Sequence, residues 1–313
     1  MKFVDYEARI IQEDDPYKKI ELAGRTCYKS EEKITESSAR KFFNKLVKSN
    51  HVAMVEHAAF AFLVNPDCRS YFNKLQMEKY LNTTEVGTRM IVSGNIRAIN
   101  EAVITTPECM KLLGAIIDYD EQYKSLCYTY IEDGADYNST VRVVSKDIIK
   151  NLTDIEILTH TYTTFLFTED RGVTHEHVRH RPPSFGQEST RYCNYSKDGF
   201  GNEITYTIPS TWDSWHPKFR KMFKEVLLHI EEVYLKMVDE NDPNRLQPQQ
   251  ARAILPQATK ADIVITANGI EWKHIFNLRY HGLTGTPHPD MKYVMSDAYQ
   301  QYCKHVFDLE TLL

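Results

Sequence analysis

Apolar positions recur at helical spacing along much of this chain. The clearest case is 215–237, where Phe219, Met222, Phe223, Val226, Leu227, Ile230, Val233, Tyr234 and Met237 form one wide stripe. That stripe predicts a long helix facing the core or another subunit. A second amphipathic helix is predicted over 35–49, with Ala39, Phe42, Phe43, Leu46 and Val47 on one face and Thr35 or Ser37 as its cap. Further helices are expected over 16–24, 108–128 and 145–158. Pro248 opens another that ends before Pro256, one covers 269–280, and Pro289 starts the last, which runs to about 307.

Strand patterns are fewer. They cover 2–10, the apolar residues after His57, and the β-branched and aromatic run 160–168, which Arg171 and Gly172 break. Residues 90–102 read as a strand, a glycine turn and a helix start. Pro66, the polar run Asn82, Thr83, Thr84 and Glu85, and residues 133–140 read as loops. Arg181-Pro182-Pro183 cannot continue a regular helix, so that region is expected to be a loop. The mixture indicates an α+β (mixed α/β) fold. No internal repeat or low-complexity tract is evident.

Bulk properties narrow the picture. The 313 residues allow one large domain or two smaller ones, and the formal charge of −5 argues against a general nucleic-acid coat. Six scattered cysteines with no C-x-x-C pair suggest free thiols rather than bridges or a zinc ribbon. No secretory leader and no bilayer-spanning run are visible, so a cytoplasmic protein is expected.

Against that acidic background, residues 174–195 concentrate Arg179, Arg181 and Arg191 with His175, His177 and His180, plus Gln187, Glu188, Ser189 and Thr190. Three close arginines repel unless an anion sits among them, and the guanidinium fork matches phosphate or carboxylate oxygens two at a time. The stretch reads as a pocket for a phosphorylated ligand, with a solvated basic turn as the plainer alternative. His175, His177 and His180 also have plausible zinc spacing, which would suit a metal-dependent hydrolase, although few carboxylates lie nearby. An RNA-binding module is the third class, opposed by the net charge.

Arg179-His180-Arg181, seven residues, Ser189 and Arg191-Tyr192 resemble the RHR-x7-S motif of flavin-dependent thymidylate synthases. Ala251-Arg252-x-x-Leu255-Pro256, Asn268 and Asn277-Leu278-Arg279 extend the resemblance, as does His51-x4-Glu56-His57. Ser93-Gly94-Asn95-x-Arg97 is similar to a segment of longer, phage-like members. The likeness covers most of a single domain, 1–313, with residues 65–160 as a largely helical insertion on a fold with a central twisted sheet.

The resemblance implies reductive methylation of dUMP to dTMP. Methylenetetrahydrofolate would give the carbon, and FAD reduced by NADPH the hydride. It places Glu176, Arg179, Gln187, Glu188, Ser189, Thr190, Arg191 and Arg252 around dUMP. It places His51, Glu56, Arg179, His180, Arg181, Gln187, Asn268 and His274 around FAD, with no metal. Arg279 would face the uracil and stabilise charge developing on the ring. Ser189 reads as a ligand-binding hydroxyl rather than a nucleophile, and Cys27 and Cys193 as structural thiols. Relatives carry Asn-Glu before the motif serine where this chain has Gly186-Gln187-Glu188, often Gln at Glu176, and usually Asn at His274. The resemblance also implies a homotetramer with shared sites.

Overall fold

The fold is that of a computed structural model describing residues 1–65, 69–130 and 140–312. The first part of the chain runs β1 (Lys2–Val4), β2 (Glu7–Ile11), α1 (Pro16–Tyr28), α2 (Ser38–Lys48), β3 (Ala59–Val64), α3 (Arg69–Met77), β4 (Asn82–Val86), β5 (Arg89–Asn95), α4 (Ile96–Thr105) and α5 (Met110–Tyr119). It continues through β6 (Val141–Val143), α6 (Lys146–Ile149), α7 (Asp154–His160), β7 (Tyr162–Asp170), α8 (Arg171–His177) and β8 (Ser184–Gln187). The last part holds β9 (Thr205–Thr207), α9 (Pro217–Met237), α10 (Pro248–Ala251), β10 (Lys260–Asn268), α11 (Gly269–Phe276) and α12 (Pro289–His305).

Two antiparallel four-stranded sheets carry the α+β fold, in the orders β2-β7-β10-β8 and β4-β5-β3-β6. A parallel pair, β1 with β9, stands apart. Each large sheet has its own core. Phe62, Val92, Ile99 and Leu112 pack with Ile20 and Phe43 from α1 and α2. Phe165, Phe167, Ile263 and Ile265 pack with Trp272, Phe276 and the buried face of α12. The α9 stripe is only partly used: Leu227 and Tyr234 are buried, while Phe219, Met222 and Val226 are exposed.

Several local expectations change. The strand expected over 2–10 is two strands in different sheets, because Tyr6 turns inward and donates to Asp170 Oδ2 at 2.6 Å. Asn82–Val86, read as a loop, is an edge strand, consistent with its adjacent β-branched threonines. The helices expected over 108–128 and 145–158 are each broken into shorter pieces. The strand expected over 160–168 does end before Arg171 and Gly172, but these residues start α8 rather than a loop, its first turn capped by Asp170 accepting from Val173 N at 2.7 Å. Pro248 opens only one turn of helix before a tighter turn at Arg252–Ile254. The helix over 269–280 ends in a π-helical turn, Asn277–His281. Apart from Thr140, the loop expected over 133–140 lies outside the described residues, as does the break at Pro66.

The largest omission from the sequence reading is β10. It is buried along nearly its whole length and covered on both faces, so its residues do not alternate between polar and apolar. The signal that was available is the β-branched run Ile263-Val264-Ile265-Thr266, the mark of a central strand.

Candidate active site

The arginine motif is part strand and part turn. The chain leaves α8, turns through 178–183, and enters β8, which pairs with β10 from Ser184 opposite Thr266 to Gln187 opposite Ile263. Ser189 N then donates to Cys27 O at 3.0 Å, fastening the motif to the last turn of α1. Ser189 O accepts from Tyr192 N and Cys193 N, both at 3.0 Å, so residues 189–193 close a tight turn. Gln187 Nε2 donates to Thr174 Oγ1 at 2.8 Å.

Arg279 is the best-held of the arginines. Its Nη1 donates to Glu176 Oε2 at 2.6 Å, its Nη2 to Glu176 O at 3.1 Å, and its Nε to His180 Nε2 at 3.0 Å. The last bond needs a lone pair on His180, hence a neutral ring. Burial first, then the neighbouring Arg279, His177 and His274, push its pKa down to about 4. His274 is exposed and meets His180 edge to face, with ring centroids 5.9 Å apart. Glu176, His180, His274 and Arg279 are thus one cluster drawn from α8, the turn after it, α11 and the π-helical turn.

Other predicted residues stand differently. Arg179, Arg181, Arg191 and Arg252 are exposed, and no ion pair to any of them occurs among the described residues. Asn268 is buried and caps α11, its side chain accepting from Glu271 N at 2.9 Å. His51 is exposed, immediately before the short turn Val52–His57. Glu56 accepts from Arg97 Nη1 at 2.8 Å, and Arg97 Nε donates to Glu101 at 2.7 Å. Glu56, Asn95 and Arg97 line a cavity of about 650 Å³ together with Arg181, Pro182 and Pro183. The end of β5, in the β4-β5-β3-β6 sheet, and the arginine motif therefore share one cleft.

Glu188 is buried, its carboxylate accepting from Lys260 Nζ at 2.8 Å, Asp262 N at 3.3 Å and Tyr195 OH at 3.4 Å. Lys260 also donates to Asp262 at 2.7 Å, and Lys29 pairs with Asp262. Burial raises the Asp262 pKa, but Lys260 and Lys29 outweigh it and the net shift is down. Lys29, Lys260 and Asp262 were missed from sequence. The spacing of Lys260 and Asp262, on one face of a strand, is the signal that could have found two of them.

The three motif histidines diverge. His175 is exposed, His180 accepts from Arg279, and His177 is buried with Nε2 3.2 Å from Glu169 Oε2, off the line of a hydrogen bond. Among the described residues no group of three His, Cys, Asp or Glu side chains could hold a metal. Cys27, Cys109, Cys127, Cys193 and Cys303 are free thiols. No described helix is long and apolar enough to cross a membrane.

This geometry can be set against known proteins. A flavin-dependent thymidylate synthase of Geobacter sulfurreducens is 31% identical over 134 residues, 42% of this chain and 54% of that one. One from Thermococcus onnurineus is 33% identical over 148 residues, 44% and 56% of the two chains. The chain thus spans about half the length of the curated relatives it matches. Among solved structures, a UMP/dUMP methylase from Streptomyces cacaoi bound with 5-Br dUMP aligns over 97% of this chain and 93% of its own, with 12% identity and a TM-score of 0.40. The family described as thymidylate synthase complementing protein matches in two overlapping stretches, 9–132 and 110–306. Together these cover nearly the whole sequence, and the chain belongs to that family.

Proposed function

We propose that this protein is a flavin-dependent thymidylate synthase, converting dUMP to dTMP with 5,10-methylenetetrahydrofolate as carbon donor and NADPH as reductant of FAD. One observation carries the reading: Arg179, Arg181, Arg191 and Arg252 lack carboxylate partners among the described residues, whereas Arg279 is held by Glu176 and His180. Exposed, uncompensated guanidiniums suit the phosphate of a nucleotide and the diphosphate of FAD. The donor set therefore fits the cofactor. When bound, the flavin supplies the hydride chemistry.

The chain's own residues do the rest. Arg191, Arg252, Ser189, Thr190, Gln187 and Glu188 would hold dUMP. Arg179, His180 and Arg181 would hold the flavin together with Asn268, His274, His51 and Glu56. Glu176 holds Arg279 toward the uracil, where a fixed cation stabilises negative charge developing on the ring. Neutral His180 accepts from Arg279 and keeps the guanidinium oriented. The exposed Phe219, Met222 and Val226 face of α9 suits packing against another chain, in keeping with a cytoplasmic homotetramer whose sites are shared.

The deciding experiment is tritium release from dUMP labelled at C5, with methylenetetrahydrofolate present and with FAD and NADPH each omitted in turn. Release that needs both is expected. Absence of release together with absence of flavin binding would overturn the proposal.

A further inference from the structure

The two large sheets repeat one another in detail. His57 lies two residues before Ala59, which pairs with Asn95; His160 lies two residues before Tyr162, which pairs with Asn268. The registers then run in step, Phe62 opposite Val92 and Phe165 opposite Ile265, Val64 opposite Met90 and Phe167 opposite Ile263. Asn95 and Asn268 each end a central strand and cap the next helix, accepting from Ala98 N at 2.8 Å and Glu271 N at 2.9 Å. The edge strands agree too. Val143 stands opposite Phe62 as Ile10 stands opposite Phe165, within the similar runs Val-Arg-Val-Val at 141–144 and Ala-Arg-Ile-Ile at 8–11. These first strands are exchanged: β2 pairs with β7, and β6 pairs with β3.

The two halves also grip each other reciprocally. His57 Nδ1 bonds Thr266 Oγ1 at 2.9 Å, and His160 Nδ1 bonds Ser93 Oγ at 2.8 Å. Thr266 and Ser93 each lie two residues before their capping asparagine. Reciprocal contacts of this kind are what a twofold axis generates. The family matches the chain twice, over 9–132 and 110–306, as two copies in one chain would. The segment expected to be an insertion is then the back of one copy and the front of the next, and a repeat is present that sequence inspection missed.

The copies differ in chemistry. Counting from each capping asparagine, Arg279 falls opposite Thr106 and His274 opposite Glu101. The second nitrogen of His160 bonds Thr84 Oγ1 at 2.8 Å. Thr84 faces Ile91 in its sheet as Gly186 faces Val264 in the other. A Cβ on Gly186 would come 3.2 Å from His57 Nε2 and 3.2 Å from Ala23 O, so glycine lets both α1 and the histidine approach the motif strand. Among the described residues His57 Nε2 is buried and without a partner, against β8.

We infer that the chain is two copies of one strand–helix unit in tandem, that only the second keeps the arginine chemistry, and that the first braces it through His57, a positioning residue for β8 and β10. The positioning role rests on the nucleotide reading above. It is tested in the full chain with dUMP as probe, by thermal unfolding and by dUMP titration of His57→Gln, His57→Asn and His160→Gln. Both Gln variants are expected to lower Tm, because each loses an Nδ1 bond between the copies. Only His57→Gln weakens dUMP binding, by about tenfold or more, the loss of roughly one hydrogen bond. His57→Asn, whose amide reaches the place of Nδ1, restores binding. Should His57→Gln not fold, Thr266→Val removes the same bond and Ser93→Ala its counterpart, with the same split expected. The inference is overturned if the His160 or Ser93 variant weakens dUMP binding as much, or if His57→Gln and Thr266→Val leave it unchanged. Failure of the unaltered chain to bind dUMP would instead sink the proposed function, and the positioning role with it.

Discussion

Arg279 and Glu176, 103 residues apart, are joined twice: a guanidinium nitrogen meets the Glu176 carboxylate at 2.6 Å, and another meets the carbonyl of the same residue at 3.1 Å. One residue of α8 thus fixes the direction of a guanidinium presented from the far end of the chain. The pair is partly exposed, so its value lies in aim rather than stability.

Glu176→Gln keeps the carbonyl contact and removes the charge, so Arg279 loosens without leaving. We expect kcat to fall with little change in Tm, and Arg279→Ala to fall further, by about 10²–10³-fold, as loss of a fixed charge-stabilising donor does. Steady-state kinetics of the two variants check this; equal kcat in Glu176→Gln and the unaltered enzyme would exclude the aiming role.

Arg191→Ala and Arg252→Ala remove exposed side chains that make no ion pair among the described residues. Stability should therefore move by no more than about 0.5 kcal/mol. Affinity for dUMP should drop by about tenfold or more, since bonds to a charged group contribute about 1.5–3 kcal/mol. Parallel melting curves and dUMP titrations separate the two effects.

Glu188 presents the opposite case, a carboxylate buried beside Lys260 at 2.8 Å. Lys260→Met leaves that charge with a hydroxyl and an amide but no cation bonded to it, Lys29 acting only from a distance. A loss of about 3 kcal/mol is expected, at the lower end for breaking a buried pair, and denaturant unfolding measures it.

Acid should destabilise the fold through its histidines. Burial holds His57 down to about 3 and His160 to about 4, and burial with Arg279 holds His180 to about 4, all below the usual 6.5. Below pH 6.5 the unfolded chain takes up protons that the folded chain refuses, so stability falls as pH drops from 6.5 toward 4 and is untouched by these groups above 6.5. His57→Asn should reduce that slope in Tm-against-pH measurements; an unchanged slope would show that His57 is not among its sources.

Cys193 is buried, and burial with nearby Glu188 pushes its thiol up to about 12. A thiol so disfavoured as thiolate is a poor nucleophile. Cys193→Ala is expected to keep methylation activity in the tritium-release assay; total loss with flavin still bound would overturn this.

Much of the chemistry was legible in the sequence because it is carried by residue identity at short spacing. Arg179-His180-Arg181 through Arg191 gathers guanidinium donors suited to an anion wherever it folds, and the α9 stripe announces a helix. Strands were harder. β10 gives no alternation because both its faces are covered, and β4 is polar because it lies at a sheet edge.

What the sequence determined by itself is the donor set: which arginines, histidines and hydroxyls are available to the phosphorylated ligand proposed above. Tertiary structure decided which of them meet each other. It turned Arg279 onto Glu176 and His180, buried Glu188 beside Lys260, and left Arg179, Arg181, Arg191 and Arg252 open. It also matched His57 with Thr266 and His160 with Ser93 across two sheets. Such pairings depend on strand register and exchange, which set distances between residues far apart in the chain and leave only faint traces in local residue order.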